Sequence, residues 1–106
     1  MAGSRTITED DDRLDNVHPG SILREDFLIG SEIALDEVVG GAGIARDFLK
    51  GLREETRPVD ADTDLRLARY FGMSEGFFLG LQIDFDLEEA KRKLSRDLDH
   101  IVPRAA

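Results

Sequence analysis

The sequence predicts an all-α fold, and three observations carry the prediction. Apolar residues recur at helical spacing along most of the chain. No segment alternates apolar and polar residues as a strand does. Gly, Pro and capping residues fall between the periodic stretches. The 106 residues suit one ordinary domain, and a hydrophobic share of 41% against a charged share of 35% provides for both a core and a strongly polar surface.

Residues 1–17 read as an acidic, flexible N-terminal arm, because Glu9, Asp10, Asp11 and Asp12 cluster while Ile7, Leu14 and Val17 stand isolated. Little apolar surface is left there to offset ordering entropy. The arm is either simply solvated or a partner-binding segment. His18-Pro19-Gly20 then punctuates the chain, with Pro tolerated in a helix's first turn because its missing N–H would be unpaired there. Ile22, Leu23, Phe27 and Leu28 predict a first helix of roughly ten residues, stopped by Gly30-Ser31.

Ile33, Val38, Val39 and Ala42 fit a short second helix from about Ala34, weakened by Gly40 and Gly41, each costing about 1 kcal/mol relative to Ala. Gly43 supplies a turn. Ala45 to Arg53 reads as a third helix, with Ile44, Phe48, Leu49 and Leu52 on one side. Two short helices around a Gly-containing turn outline a helix-turn-helix. After Arg57-Pro58-Val59, Asp60 caps a fourth helix, Asp62 and Asp64 suit its first turn, and Gly72 stops it. Leu65, Ala68 and Phe71 line its expected buried side, with Leu67 alongside. Ser74 is expected to cap a fifth helix carrying Phe77, Phe78 and Leu81. Asp86 is expected to cap a last one, with Glu89 placed as in a capping box. The stripe Leu87, Ala90, Leu94, Leu98 and Ile101 suits either helix pairing or the domain's own core, and Pro103 ends it.

The chemistry the chain lacks is as informative. With no Cys, disulfides, thiolate metal sites and thiol nucleophiles are excluded. His18 and His100 lie at opposite ends of the chain. Close acids such as Asp84 with Asp86, or Glu54 with Glu55, are expected by chance among 23 carboxylates. Gly40-Gly41-Ala42-Gly43 lacks the Lys-Ser/Thr of a phosphate loop. The sequence therefore predicts no enzyme, no metal and no other cofactor. No apolar run approaches the roughly 18–20 residues of a membrane span, and MAGSRTITEDDD lacks the apolar centre of a signal peptide. A soluble, cytoplasmic protein is expected.

A formal net charge of -9 opposes nucleic-acid binding on average, but the charge is unevenly spread. Residues 18–44 hold Arg24 against Glu25, Asp26, Glu32, Asp36 and Glu37. Residues 45–60 balance Arg46, Lys50, Arg53 and Arg57 against Asp47, Glu54, Glu55 and Asp60. Arg46, Lys50 and Arg53 fall at i, i+4 and i+7 and share a helix face. That face is either an ordinary solvated one, balanced by Asp47 and Glu54, or one that enters a major groove.

Taken in order, His18-Pro19-Gly20, Leu23-Arg24-Glu25-Asp26-Phe27-Leu28, Ala61-Asp62-Thr63, Leu65-Arg66-Leu67-Ala68-Arg69-Tyr70-Phe71-Gly72, Phe78-Leu79-Gly80-Leu81-Gln82 and Asp86-Leu87 resemble the HigA-type antitoxins. These belong to the Xre-like helix-turn-helix class of type II toxin–antitoxin modules. The pattern is followed without a gap from about residue 17 to residue 88. The resemblance implies a five-helix, Xre/lambda-repressor-like helix-turn-helix domain over residues 18–83, with an additional C-terminal helix over 84–102 through which such proteins form a homodimer. It implies binding to operator double-stranded DNA, with Arg46 and Lys50 reading bases or phosphates and Arg53 and Arg57 on phosphates. Asp47 would either accept from a cytosine or pair with Arg46 or Lys50. It also implies neutralisation of a HigB/RelE-like toxin, a small basic protein. Glu25, Asp26, Asp36 and Glu37 are the candidates for such a basic partner.

The chain departs from the pattern in three places, the mildest being Phe78 in place of the usual Trp, a volume change the core is expected to absorb. Val38-Val39-Gly40-Gly41-Ala42-Gly43-Ile44 stands for a Leu-Ala-x-x-Leu-Gly-Val segment, and Glu54-Glu55-Thr56-Arg57 stands for Asn-Gly-Lys/Arg. Loosened packing around the second helix and repulsion of phosphates are the expected consequences. They leave a second reading open, a protein-binding module on the same scaffold with little or no DNA binding.

Overall fold

The computed structural model describes residues 15–105, so most of the expected acidic arm lies outside it. The described residues form five helices and no strand: α1 (Pro19–Ile22, running on in π-helical turns over Leu23–Ile29), α2 (Leu35–Ala42), α3 (Arg46–Arg53), α4 (Ala61–Phe71) and α5 (Phe77–Asp99). The all-α expectation holds. Leu23, Leu28, Leu35, Val38, Ile44, Leu49, Leu52, Val59, Leu67 and Phe78 make the core. Phe27 of α1 adds an aromatic layer, its ring centroid 4.8 Å from Phe71 and 5.2 Å from Phe78.

The His-Pro-Gly segment starts α1 by three separate means. The Gly20 N–H donates to His18 Nδ1 at 2.9 Å, which caps the helix. Pro19 takes the first helical position. A Cβ on Gly20 would overlap the Leu52 carbonyl oxygen, so only glycine lets this turn lie against the end of α3.

In α2 the two glycines differ. A Cβ at Gly41 would overlap Tyr70 Cε1, whereas one at Gly40 would meet nothing. Gly41 is thus a seat for Tyr70 of α4 rather than a loosened turn. Gly43 takes the left-handed conformation (φ 69°) that ends the helix.

The bounds of α4 follow the sequence: Asp60 accepts the Thr63 N–H at 2.8 Å, and Gly72 closes the helix with φ 70°. Its buried face follows only in part: Leu67 and Ala68 are buried and Phe71 packs against the core, but the face is turned away from Leu65. Leu65 is 49% exposed, while Thr63, Asp64, Leu67 and Ala68 are buried. An acid holds the inward position because α5 needs an acceptor there. Asp64 Oδ2 accepts the Gly76 N–H at 2.6 Å and Oδ1 accepts the Leu79 N–H at 2.9 Å, satisfying donors that the first turn of α5 leaves unpaired.

This carboxylate fills the role expected of Ser74, and the break expected at Asp86 is absent. α5 is continuous from Phe77 to Asp99. Asp86 accepts from Gln82 Nε2 at 2.9 Å, and buried Gln82 in turn accepts the Val59 N–H at 2.8 Å. With its side chain so engaged and no Gly or Pro nearby, Asp86 interrupts nothing. Past Glu88 every described residue is exposed. The stripe residues Leu87, Leu94, Leu98 and Ile101 therefore do not cover the chain's own core.

These contacts set two expectations for stability. Asp64→Ala leaves two part-buried N–H groups without their acceptor and lowers the unfolding free energy by about 1–2 kcal/mol, read as a lower urea midpoint at unchanged slope; an unchanged midpoint refutes the capping role. Burial holds the His18 imidazole below its ordinary value of 6.5, against the opposing charges of Glu55 and Asp86. The unfolded chain then takes up a proton that the folded chain resists. Stability is full above about pH 6.5 and falls as pH drops below it. His18→Asn keeps a capping acceptor without the titration, so its melting temperature changes less between pH 7.5 and pH 5.5 than that of the wild type.

Candidate nucleic-acid interface

At eight residues, α3 is far too short to persist alone. Leu49 and Leu52 are buried and Phe48 is half-buried, which fixes its inner side. Side chains from other elements hold its two ends. At the C-terminal end, Arg24 of α1 donates through Nη1 to the Arg53 carbonyl at 2.6 Å and through Nη2 to Glu55 at 3.1 Å. Glu55 has φ 65°, at the place where the HigA-type pattern has Gly. Such a backbone costs a non-glycine residue about 1–2 kcal/mol, and the grip of Arg24 offsets it. Charges and hydrogen bonds from Glu55 and then Glu25 push the Arg24 pKa up. The turn ahead of α3 is braced from α4. Arg66 pairs with Asp62 at 2.6 Å and reaches the Ala42 and Gly43 carbonyls at 3.4 and 3.2 Å.

With 3.6 residues per turn and this inner side, the outward face of α3 is centred on Asp47 and Lys50. Arg46 and Arg53 run along one edge. On the other, the stem of Arg57 lies over Gly51, where a Cβ would come within 2.9 Å of it. Its guanidinium sits 5.2 Å from the Phe48 ring centroid. The five sequence candidates thus share one face and its margins. Their charges are only partly available. Arg46 Nε donates to Asp36 Oδ1 at 2.9 Å, and the hydrogen bond and charge of Asp36 raise the Arg46 pKa, with Asp47 adding to it. Arg53 pairs with Glu54 at 3.3 Å. Lys50 and Asp47 are exposed and make no ion pair among the described residues, so the alternative pairing of Asp47 with Arg46 or Lys50 is not made.

Of the acids assigned to a partner, Glu25 pairs with Arg24 at 3.1 Å, Asp36 holds Arg46, and Glu37 Oε1 accepts the Ala34 N–H at 2.9 Å as a cap on α2. Asp26 is exposed and makes no ion pair among the described residues. Sequence reasoning missed the bracing roles of Arg24 and Arg66, because their contacts to the Arg53, Ala42 and Gly43 carbonyls span 23 residues or more and leave no local signal. Among the described residues no group of three or more His, Cys, Asp or Glu is placed to hold a metal ion, and no helix is long and apolar enough to cross a membrane.

No family model matches the sequence. Virulence-associated protein I of Dichelobacter nodosus is 31% identical over 87 residues, covering 82% of this chain and 80% of that protein. Among solved structures, Pseudomonas aeruginosa PA4674 in complex with an 18-bp operator DNA superposes with a TM-score of 0.81 at 30% identity, over 87% of this chain and 98% of that one. Pseudomonas aeruginosa antitoxin HigA with the higBA promoter gives 0.77 at 27% identity, over 87% and 100%. Similarity in sequence and in helix arrangement therefore extends along nearly the whole described chain, and the protein belongs to the HigA-type antitoxin family.

Proposed function

We propose that this protein is an antitoxin-type transcriptional regulator of the cytoplasm, without catalytic activity, that binds operator DNA as a homodimer and neutralises a HigB/RelE-like toxin. The outward face of α3 is the observation that carries the proposal: one short helix, braced at both ends, presents Arg46, Lys50, Arg53 and Arg57 around Asp47. In this assignment residues 18–83 are the reading domain, with Arg46 and Lys50 on base edges or phosphates, Asp47 towards a cytosine amino group, and Arg53 and Arg57 on phosphates. Residues 84–102 are the dimerisation segment.

The exposed stripe on α5 supports the second assignment, and its flanking charges choose an orientation. Residues 84–89 carry Asp84, Asp86, Glu88 and Glu89; residues 91–96 carry Lys91, Arg92, Lys93 and Arg96. Parallel pairing would set like against like. Antiparallel pairing about Ala90 sets each run against its opposite and brings Leu87 near the partner copy's stripe. The net charge of -9 suits a basic toxin, whose encounter it speeds. Asp26 is the most available of Glu25, Asp26, Asp36 and Glu37. The second reading, a protein-binding module without DNA binding, is favoured by one observation only: Asp36 and Glu54 already occupy Arg46 and Arg53.

A mobility titration with the DNA upstream of the protein's own gene separates the two readings, since a shifted complex is expected only for the first. Lys50→Ala is expected to weaken that complex and to reduce the salt slope by about one unit. An unchanged titration across salt concentrations removes Lys50 from the interface. In sedimentation, Leu94→Glu is expected to convert a dimer to a monomer with little loss of monomer stability, because the exposed Leu94 supports no core of its own. A Leu94→Glu dimer refutes the α5 seam.

A further inference from the structure

We infer that Asp36 and Arg46 form a single reading unit, in which the carboxylate positions the guanidinium to take the O6/N7 edge of a guanine. This rests on the DNA-binding reading above and goes further in naming the base and the residue that selects it. Arg46 is the first residue of α3, the position from which such a helix reaches base edges. Its Nε is held by Asp36 Oδ1 at 2.9 Å; Asp47 adds a weaker charge interaction, and no further hydrogen bond or ion pair of the guanidinium is made among the described residues. The guanidinium is a rigid planar fork. Anchoring it by Nε leaves the outer Nη1/Nη2 edge free as two parallel donors, the arrangement that matches the two acceptors of guanine and neither A nor C nor T.

The same contact argues against a phosphate as the natural ligand of Arg46. A phosphate on that fork would sit beside the exposed Asp36 carboxylate, anion against anion, whereas the guanine edge is neutral. Arg46 is moreover already neutralised by Asp36, so its engagement releases few counterions. Lys50 lacks a carboxylate partner among the described residues. Arg46 and Lys50 thereby take separate roles, Lys50 supplying attraction and Arg46 supplying discrimination. Asp36 is a positioning residue here, acting through Arg46.

The test uses the full chain and a duplex enriched by the wild type from a random pool, with each guanine replaced in turn by 7-deazaguanine, which lacks the N7 acceptor. One replacement is expected to weaken wild-type binding about tenfold. Arg46→Ala is expected to bind both duplexes equally while keeping nearly the wild-type salt slope. Asp36→Ala is expected to shrink the discrimination and steepen the slope by about one unit, as the released guanidinium turns to phosphate. Asp36→Asn retains an acceptor for Nε and is expected to keep most of the discrimination. Both residues are exposed, and circular dichroism melts verify that each variant folds. Two results overturn the inference while leaving DNA binding intact: equal discrimination in wild type and Asp36→Ala, or a salt slope reduced by one unit in Arg46→Ala, which would make Arg46 a phosphate contact. Failure of the wild type to enrich any duplex overturns the DNA-binding reading, and the reading unit with it.

Discussion

The first turn of α1 lies so close to the last turn of α3 that residue 20 has to be glycine, its Cα standing where any side chain would run into the Leu52 carbonyl. The pose of α3 depends on this contact. An eight-residue helix has little stability of its own, and burying Leu49 and Leu52 settles which side faces in but not how far the helix slides along its axis. The α1 contact limits the slide. Arg24 sits one turn further along α1 and takes the Arg53 carbonyl, so the same element fixes α3 at two successive points. The joint also reaches α5, because His18, which caps α1, packs its ring edge-on against Phe85 at 4.9 Å. Asn16, two residues earlier, donates to the Phe85 carbonyl at 2.8 Å. Helices α3 and α5 are therefore referred to one common turn.

Much of this was legible in the sequence wherever the determinant is local. Pro at a first turn, Asp60 three residues before Thr63 and Gly72 at a helix end act within one turn of their own backbone, and the structure follows them. Legibility fails where a side chain serves an element other than its own. On α4 the apolar pattern points to Leu65 because Asp64 reads as solvent-facing. The real face turns inward through Asp64 because its carboxylate is committed to the N–H groups of α5. Asp86 fails in the opposite sense: a good capping residue becomes an ordinary helical one once Gln82 occupies it. Gly41 is a third case, a residue that weakens α2 on propensity and strengthens it on packing, since the Tyr70 ring uses the space. The candidate site divides the same way. The i, i+4, i+7 spacing placed the cations of α3 on one face, but nothing in the spacing shows that Asp36, ten residues earlier, closes on Arg46.

The electrostatics of the chain are less contradictory than a net charge of -9 suggests. At physiological salt, exposed charges act over roughly one Debye length, about 8 Å, so what a phosphate meets is the local set around α3. Carboxylates in that set are largely committed to particular cations, and exposed pairs of this kind are worth at most about 1 kcal/mol. Arg53 can leave Glu54 at little cost when a better anion arrives. The acids of α1 and α2 meanwhile repel nucleic acid from their side of the chain. On the proposed interface the repulsion is locally cancelled, so orientation would be selected by exclusion as well as by attraction.

The continuity of α5 matters for the same face. Had the chain broken at Asp86, the apolar stripe would hang from a hinge, and a dimer built on it would let its two reading helices wander. Instead 23 residues, about 34 Å of helix, run from the turn that Asp64 pins to α4 out to the stripe at Leu94 and Leu98. In the proposed dimer, the crossing point of two such helices would set the separation of the two α3 faces through rigid elements alone. Duplex DNA offers equivalent major-groove sites only at whole helical turns, about 34 Å apart, so a separation that drifted by a few ångströms would forfeit the second contact. The buried carboxylate of Asp64, which the apolar pattern misread, is thus the point through which, in the proposed pairing, the geometry of one chain would become the geometry of a pair.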